Sequence, residues 1–184
     1  MVLYRVDRKP TWGTCAGLIL LAESANRTKK GGQDLIGGLD VRVHRNYFGR
    51  QAESFMADID LPFLGEKDSH QNAPFNGVFI RAPVVEKILP RVAGEQAGEA
   101  RLQDTVVAPA RREAQENVEI MAKLPGRTQI FQKLTAPSLE DGVGDIIAVR
   151  QQNVFGTSFH PELTEDARIH SWWLKQVVQA VGFR

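Results

Sequence analysis

The sequence predicts an α/β protein: a central, mostly parallel sheet with helices on both faces and an antiparallel extension near the last hairpin. Three features carry this expectation. Gly13-Thr14-Cys15-Ala16-Gly17 followed by an apolar run has the form of a strand-to-helix step. Residues 39–45 (LDVRVHR) alternate apolar and polar, as a strand covered on one face does. Ile169, Trp172, Trp173, Val177, Ala180 and Val181 recur at helical spacing, which predicts an amphipathic C-terminal helix.

Along the chain, residues 9–14 form a short strand that enters the elbow. Residues 16–24 (AGLILLAES) are apolar nearly all round and read as a buried helix packed on the sheet. Lys29 to Gln33 is a loop; its glycines lack the strand and helix of a phosphate-binding fingerprint. After the strand at 39–45, Asn46 to Arg50 makes a turn. Residues 54–59 form another strand with Phe55, Ala57 and Ile59 inward. Residues 61–76, with Pro, Gly and Asn, read as loop. Residues 77–82 (GVFIRA) are a short apolar strand that delivers Arg81 at its end. Two polar stretches, 93–112 and 125–145, read as insertions into a single domain spanning 1–184. Residues 118–123 fit helix or strand. Residues 146–150 and 154–159 flank Gln151-Gln152-Asn153 as a hairpin, and Thr164 is a candidate N-cap for the last helix.

Composition sets outer bounds. A chain of 184 residues with 42% hydrophobic content supports one compact core, and a net charge of +1 leaves no basic footprint for nucleic acid. One cysteine excludes an internal disulfide and fits a reducing, cytoplasmic compartment. The start, MVLYRVDRKP, is charged too early for a signal peptide, and no apolar run approaches the roughly 20 residues of a membrane span. The four histidines are scattered without metal-ligand spacing.

The chemistry centres on Cys15. Between flanking glycines at a strand-to-helix turn, its side chain is thrust outward, and the amides and dipole of the following helix favour thiolate. The alternative is a small buried hydrophobe. A base is expected far away in sequence. In Ser158-Phe159-His160-Pro161-Glu162, His160 ends a buried strand that Pro161 stops, and Glu162 lies two positions on, able to fix the imidazole tautomer. Taken alone, His-Pro-Glu also fits a surface turn. Together these residues compose a Cys15–His160–Glu162 triad.

The segments GTCAG, NYFGRQ, GVFIRAP and SFHPELT, in this order, resemble the glutaminase subunit of pyridoxal 5′-phosphate synthase, a family of the class I, triad-type glutamine amidotransferases. The resemblance runs from about Lys9 to the C-terminus. It implies a three-layer, flavodoxin-like fold and hydrolysis of L-glutamine to glutamate and ammonia. It also implies Cys15 as nucleophile, His160 as general base and acid, Glu162 as its orienter, and the backbone N–H of Ala16 as an oxyanion donor. Arg45, Ile80 and Arg81 match the family's glutamine-contacting positions; without the resemblance, the two arginines also fit surface ion pairs. No cofactor or metal is implied. The implied partner is a (β/α)8-barrel synthase subunit that receives the ammonia. This chain departs from the family at its N-terminus: a strand ending in Gln-Gly and a Pro-Gly-Gly-Glu-Ser turn are missing. With them go a second oxyanion donor and the strands expected beside the elbow strand, so the fold is expected to be N-terminally truncated with an exposed sheet edge. An inactive interaction subunit, and another cysteine hydrolase on a related scaffold, stay open as alternatives.

Overall fold

A computed structural model gives the architecture and describes residues 9–26, 33–45, 54–65, 73–90, 104–109, 116–124 and 145–182. Strand β1 (Thr11–Thr14) leads into the short helix α1 (Ala16–Leu21), which passes directly into β2 (Ala22–Asn26). Then come β3 (Leu39–His44), β4 (Ser54–Ile59), β5 (Phe75–Ile80), β6 (Val84–Ile88), β7 (Thr105–Val107), β8 (Glu119–Lys123), β9 (Ile146–Gln151), β10 (Val154–Thr157) and the long helix α2 (Arg168–Val181).

The strands assemble as one sheet in the order β1-β10-β9-β8, a second in the order β6-β3-β2-β7, and the hairpin β4-β5. Period-two alternation lets one strand feed two cores. On β10, Val154 packs with Leu18, Leu21, Leu39 and Val41 on the α1 side. Its neighbour Phe155 packs with Phe159 and Ile169, against which Trp172 and Trp173 of α2 close, on the other side. The α/β class, with helices on both faces of the elbow sheet, therefore holds.

Pairing is more mixed than the mostly parallel expectation. β1 with β10 and β2 with β3 run parallel. The remaining pairs, β10–β9, β2–β7, β3–β6, β4–β5 and β8–β9, are antiparallel. Connection length is part of the reason. Gln152-Asn153 is too short for a crossover and can only return the chain antiparallel, with Gln152 at φ 53°. Among the described residues β1 pairs on one edge only, to β10.

Several local expectations shift. The helix over 16–24 ends at Leu21, and Ala22 turns extended into a fully internal strand. An all-round apolar run satisfies a buried helix and a buried strand equally, so pattern alone does not divide it. The loop at 33–38 then closes on α1: Ile36 and Gly37 donate backbone N–H groups to Leu20 O at 2.7 and 3.1 Å. The 93–112 insertion contains β7, whose β-branched residues pair with β2. Residues 118–123 resolve to strand β8. Among the described residues of 61–76, Pro62–Leu64 form a 3-10 turn, and β5 begins inside that segment at Phe75. Thr164 does not cap α2: its hydroxyl donates to Pro161 O at 3.0 Å, while Asp166 accepts the Arg168 N–H at 3.0 Å. The Asn46 to Arg50 turn and nearly all of 125–145 lie outside the described residues.

Candidate active site

β1 stops at Thr14, and Cys15 takes φ 47°, ψ −104°. This left-handed region is costly for a residue with a Cβ. The position is held from both sides. Cys15 donates its N–H to Thr157 O at 2.8 Å, and its C=O accepts from Ile19 N–H at 3.3 Å, opening α1. Gly13 is required by close approach: a Cβ there would lie 2.5 Å from Gly17 C and 2.6 Å from Gly17 O. At Gly17 a Cβ would meet nothing within 4 Å. The strain of the elbow thus sits on Cys15 itself, and only the first glycine is sterically obligatory.

The thiol of Cys15 donates to Ile80 O at 3.7 Å, within reach of a sulfur hydrogen bond. Burial pushes its pKa up; the Ala16 N–H pulls it down, the charge of Glu162 raises it and that of Arg81 lowers it, and the net effect is upward. This corrects the thiolate expectation. α1 is only six residues long, so its amides and small dipole do not overcome desolvation.

The backbone N–H of His160 donates to Val78 O at 2.8 Å, and its Nδ1 lies 2.7 Å from Glu162 Oε1. Pro161–Leu163 form a single 3-10 turn that folds Glu162 back onto the imidazole. A carboxylate only accepts hydrogen bonds, so the proton sits on Nδ1 and Nε2 presents its lone pair. That Nε2 is buried and has no hydrogen-bond partner among the described residues. The Glu162 side chain is 47% exposed against 20% for His160, so its pull on the ring is partly screened by water.

β5 is the element that the sequence pattern did not single out as a scaffold. Val78 and Ile80 are two residues apart, so their carbonyls point along one edge of β5. One holds the amide of His160 and the other meets the sulfur of Cys15. Arg81, next in the chain, is exposed and also takes a left-handed φ of 43°. Two of the strained non-glycine residues therefore flank the same point. Arg45 is bonded to other partners. Its N–H donates to Asn26 Oδ1 at 2.6 Å, its Nη2 donates to Gln33 O at 2.8 Å, and burial lowers its pKa. The structure thus gathers Cys15, Ala16, Ile80, Arg81, His160 and Glu162, whereas the bonds of Arg45 run to Asn26 and Gln33.

This geometry sits on a chain that matches a known family at residues 3–118 and 113–179: the SNO glutamine amidotransferase family. The chain belongs to that family. It is 40% identical over 173 residues to a probable pyridoxal 5′-phosphate synthase subunit PDX2 of Arabidopsis thaliana, covering 91% of this chain and 57% of that protein. It is 36% identical over 168 residues to the pyridoxal 5′-phosphate synthase subunit PdxT of Leifsonia xyli, covering 91% of this chain and 60% of that protein. A crystal structure of a glutamine amidotransferase shares 32% identity and a TM-score of 0.56, covering 98% of this chain and 66% of that one. The chain thus spans about three-fifths of the length of these two relatives, and its fold is that of the class I glutamine amidotransferases.

Proposed function

We propose that this amidotransferase chain hydrolyses L-glutamine to glutamate and ammonia, and that the ammonia passes to the synthase subunit of pyridoxal 5′-phosphate synthase, a (β/α)8 barrel, for vitamin B6 biosynthesis. One observation carries the reading. The sulfur of a strained cysteine and the backbone N–H of a histidine both reach carbonyls of β5, Ile80 O and Val78 O; the histidine Nδ1 is held by a carboxylate, and its Nε2 is buried with no hydrogen-bond partner among the described residues.

In this reading His160 Nε2 takes the Cys15 proton as the sulfur attacks the side-chain amide carbon of glutamine. The carbonyl oxygen gains charge facing the Ala16 N–H. The imidazolium gives its proton to the departing ammonia, leaving a thioester. Water, deprotonated by His160, then cleaves the thioester and frees glutamate and the thiol. Arg81 and the Ile80 backbone contact the glutamine backbone end, and Arg45 joins them once its bond to Gln33 O is exchanged for the substrate carboxylate. No cofactor or metal enters these steps. A free thiol of this kind fits a reducing, cytoplasmic setting.

Ammonia release from glutamine by the full chain, with and without the synthase subunit and against Cys15→Ala, tests the reading. Cys15-dependent ammonia is expected. Folded protein that yields none in either condition overturns the enzymatic reading.

A further inference from the structure

We infer that Thr157 is a positioning residue that sets His160 against Cys15; the inference rests on the proposed reading, in which those two act together. Thr157 is fully buried at the end of β10, in register with Thr14 of β1. Its carbonyl accepts the Cys15 N–H at 2.8 Å. Its hydroxyl accepts from Trp12 Nε1 at 3.3 Å and lies 3.4 Å from Phe159 O, to which it donates. A hydroxyl has one proton and two lone pairs, so both bonds stand together.

The Phe159 carbonyl belongs to the peptide unit that leads into His160. The N–H of that same unit donates to Val78 O at 2.8 Å. The peptide plane before the base is therefore pinned at both ends, by β5 on one side and by the Thr157 hydroxyl on the other. Through its main chain the same residue pins the nucleophile. Trp12 anchors the hydroxyl in turn, with its ring 5.4 Å from Phe155, 5.3 Å from His170 and 5.9 Å from Trp173. Without the hydroxyl, the peptide keeps one of its two restraints and His160 Nε2 drifts relative to the sulfur.

The test is the pH profile of Cys15 alkylation by iodoacetamide in the full chain, for the wild type, His160→Ala, Thr157→Val and Thr157→Ser. Other charges facing the sulfur are Glu162 and Arg81, and His170 lies against Trp12, so His160→Ala isolates the contribution of the base. In the wild type, proton transfer to His160 gives a reactive shoulder at lower pH than the main limb; His160→Ala removes it. Thr157→Val, which keeps the shape and removes the hydroxyl, is expected to lose more than half of that shoulder while still folding, and Thr157→Ser to retain it. A Thr157→Val profile that overlays the wild type while His160→Ala differs overturns the inference alone. Overlay of His160→Ala on the wild type overturns both the inference and the Cys–His reading beneath it. Should Thr157→Val not fold, Thr157→Ala, which removes the hydroxyl without setting a second methyl group against Phe159 O, decides by the same criterion.

Discussion

Cys15 combines a strained backbone with a pKa raised by burial, and both properties have measurable consequences. The thiolate fraction at neutral pH is smaller than for a free cysteine. The main limb of its iodoacetamide reactivity is therefore expected to rise only above the usual thiol range, and a main limb below that range would show that the helix amides win over burial. In the proposed reading Glu162 acts through His160, and its half-exposed carboxylate is screened. Glu162→Gln is expected to lower kcat for glutamine less than His160→Ala does, the latter losing about 100- to 10,000-fold, by steady-state ammonia release. Away from the elbow, His44 offers a pH test of stability. Asn26 gives its Oδ1 to Arg45 N–H, so its amide group faces His44 Nε2 at 3.4 Å and the imidazole there must accept. Burial depresses the His44 pKa; Glu86 opposes this and Arg42 adds to it. As pH falls below the ordinary imidazole value, the unfolded chain binds a proton that the folded chain refuses. Stability then declines until the lower folded pKa is reached and is flat beyond it. Urea denaturation at stepped pH should show that slope reduced in His44→Gln.

At the scale of elements, the elbow depends on how closely β1 and α1 approach. A methyl group at Gly13 would meet the Gly17 backbone, which has no flexible side chain to yield. Gly13→Ala is expected to destabilise by at least the about 1–3 kcal/mol of ordinary overpacking, whereas Gly17→Ala, facing open space, is expected to leave the denaturation midpoint unchanged or slightly raised. Equal effects in the two variants would remove the close-approach account. The elbow, β3, β4, the β9–β10 hairpin and α2 were all legible in the sequence, because each carries a period or a punctuating residue: Leu39, Val41 and Val43 alternate, and Pro161 stops a strand. The division of 16–24 into α1 and β2 was not legible, since apolar residues on every face carry no period. Nor was β7, whose short strand becomes stable only by pairing with β2.

At the scale of the molecule, Phe155 joins the layers. It is fully buried, with ring centroids 5.4 Å from Trp12, 5.1 Å from Trp172 and 5.9 Å from Trp173, and it ties β10 to α2 beneath the elbow. Phe155→Ala is expected to cost about 3–5 kcal/mol in urea denaturation, and a loss under 1 kcal/mol would mean that α2 is held by other contacts. Read by itself, the sequence determined the α/β class and the family, and it pointed to Cys15, His160 and Glu162 as the proposed nucleophile, base and carboxylate, because each sits in a short motif whose local geometry is covalently close: an elbow, and a His-Pro-Glu turn. What only the tertiary structure decided is how these pieces meet. The edge of β5 that receives both His160 and Cys15, the left-handed φ of Arg81, the bonds that draw Arg45 to Asn26 and Gln33, and the rise in the thiol pKa all depend on which distant segments pack together. Burial and long-range hydrogen bonds are properties of the assembled neighbourhood, and no local pattern of residues encodes them.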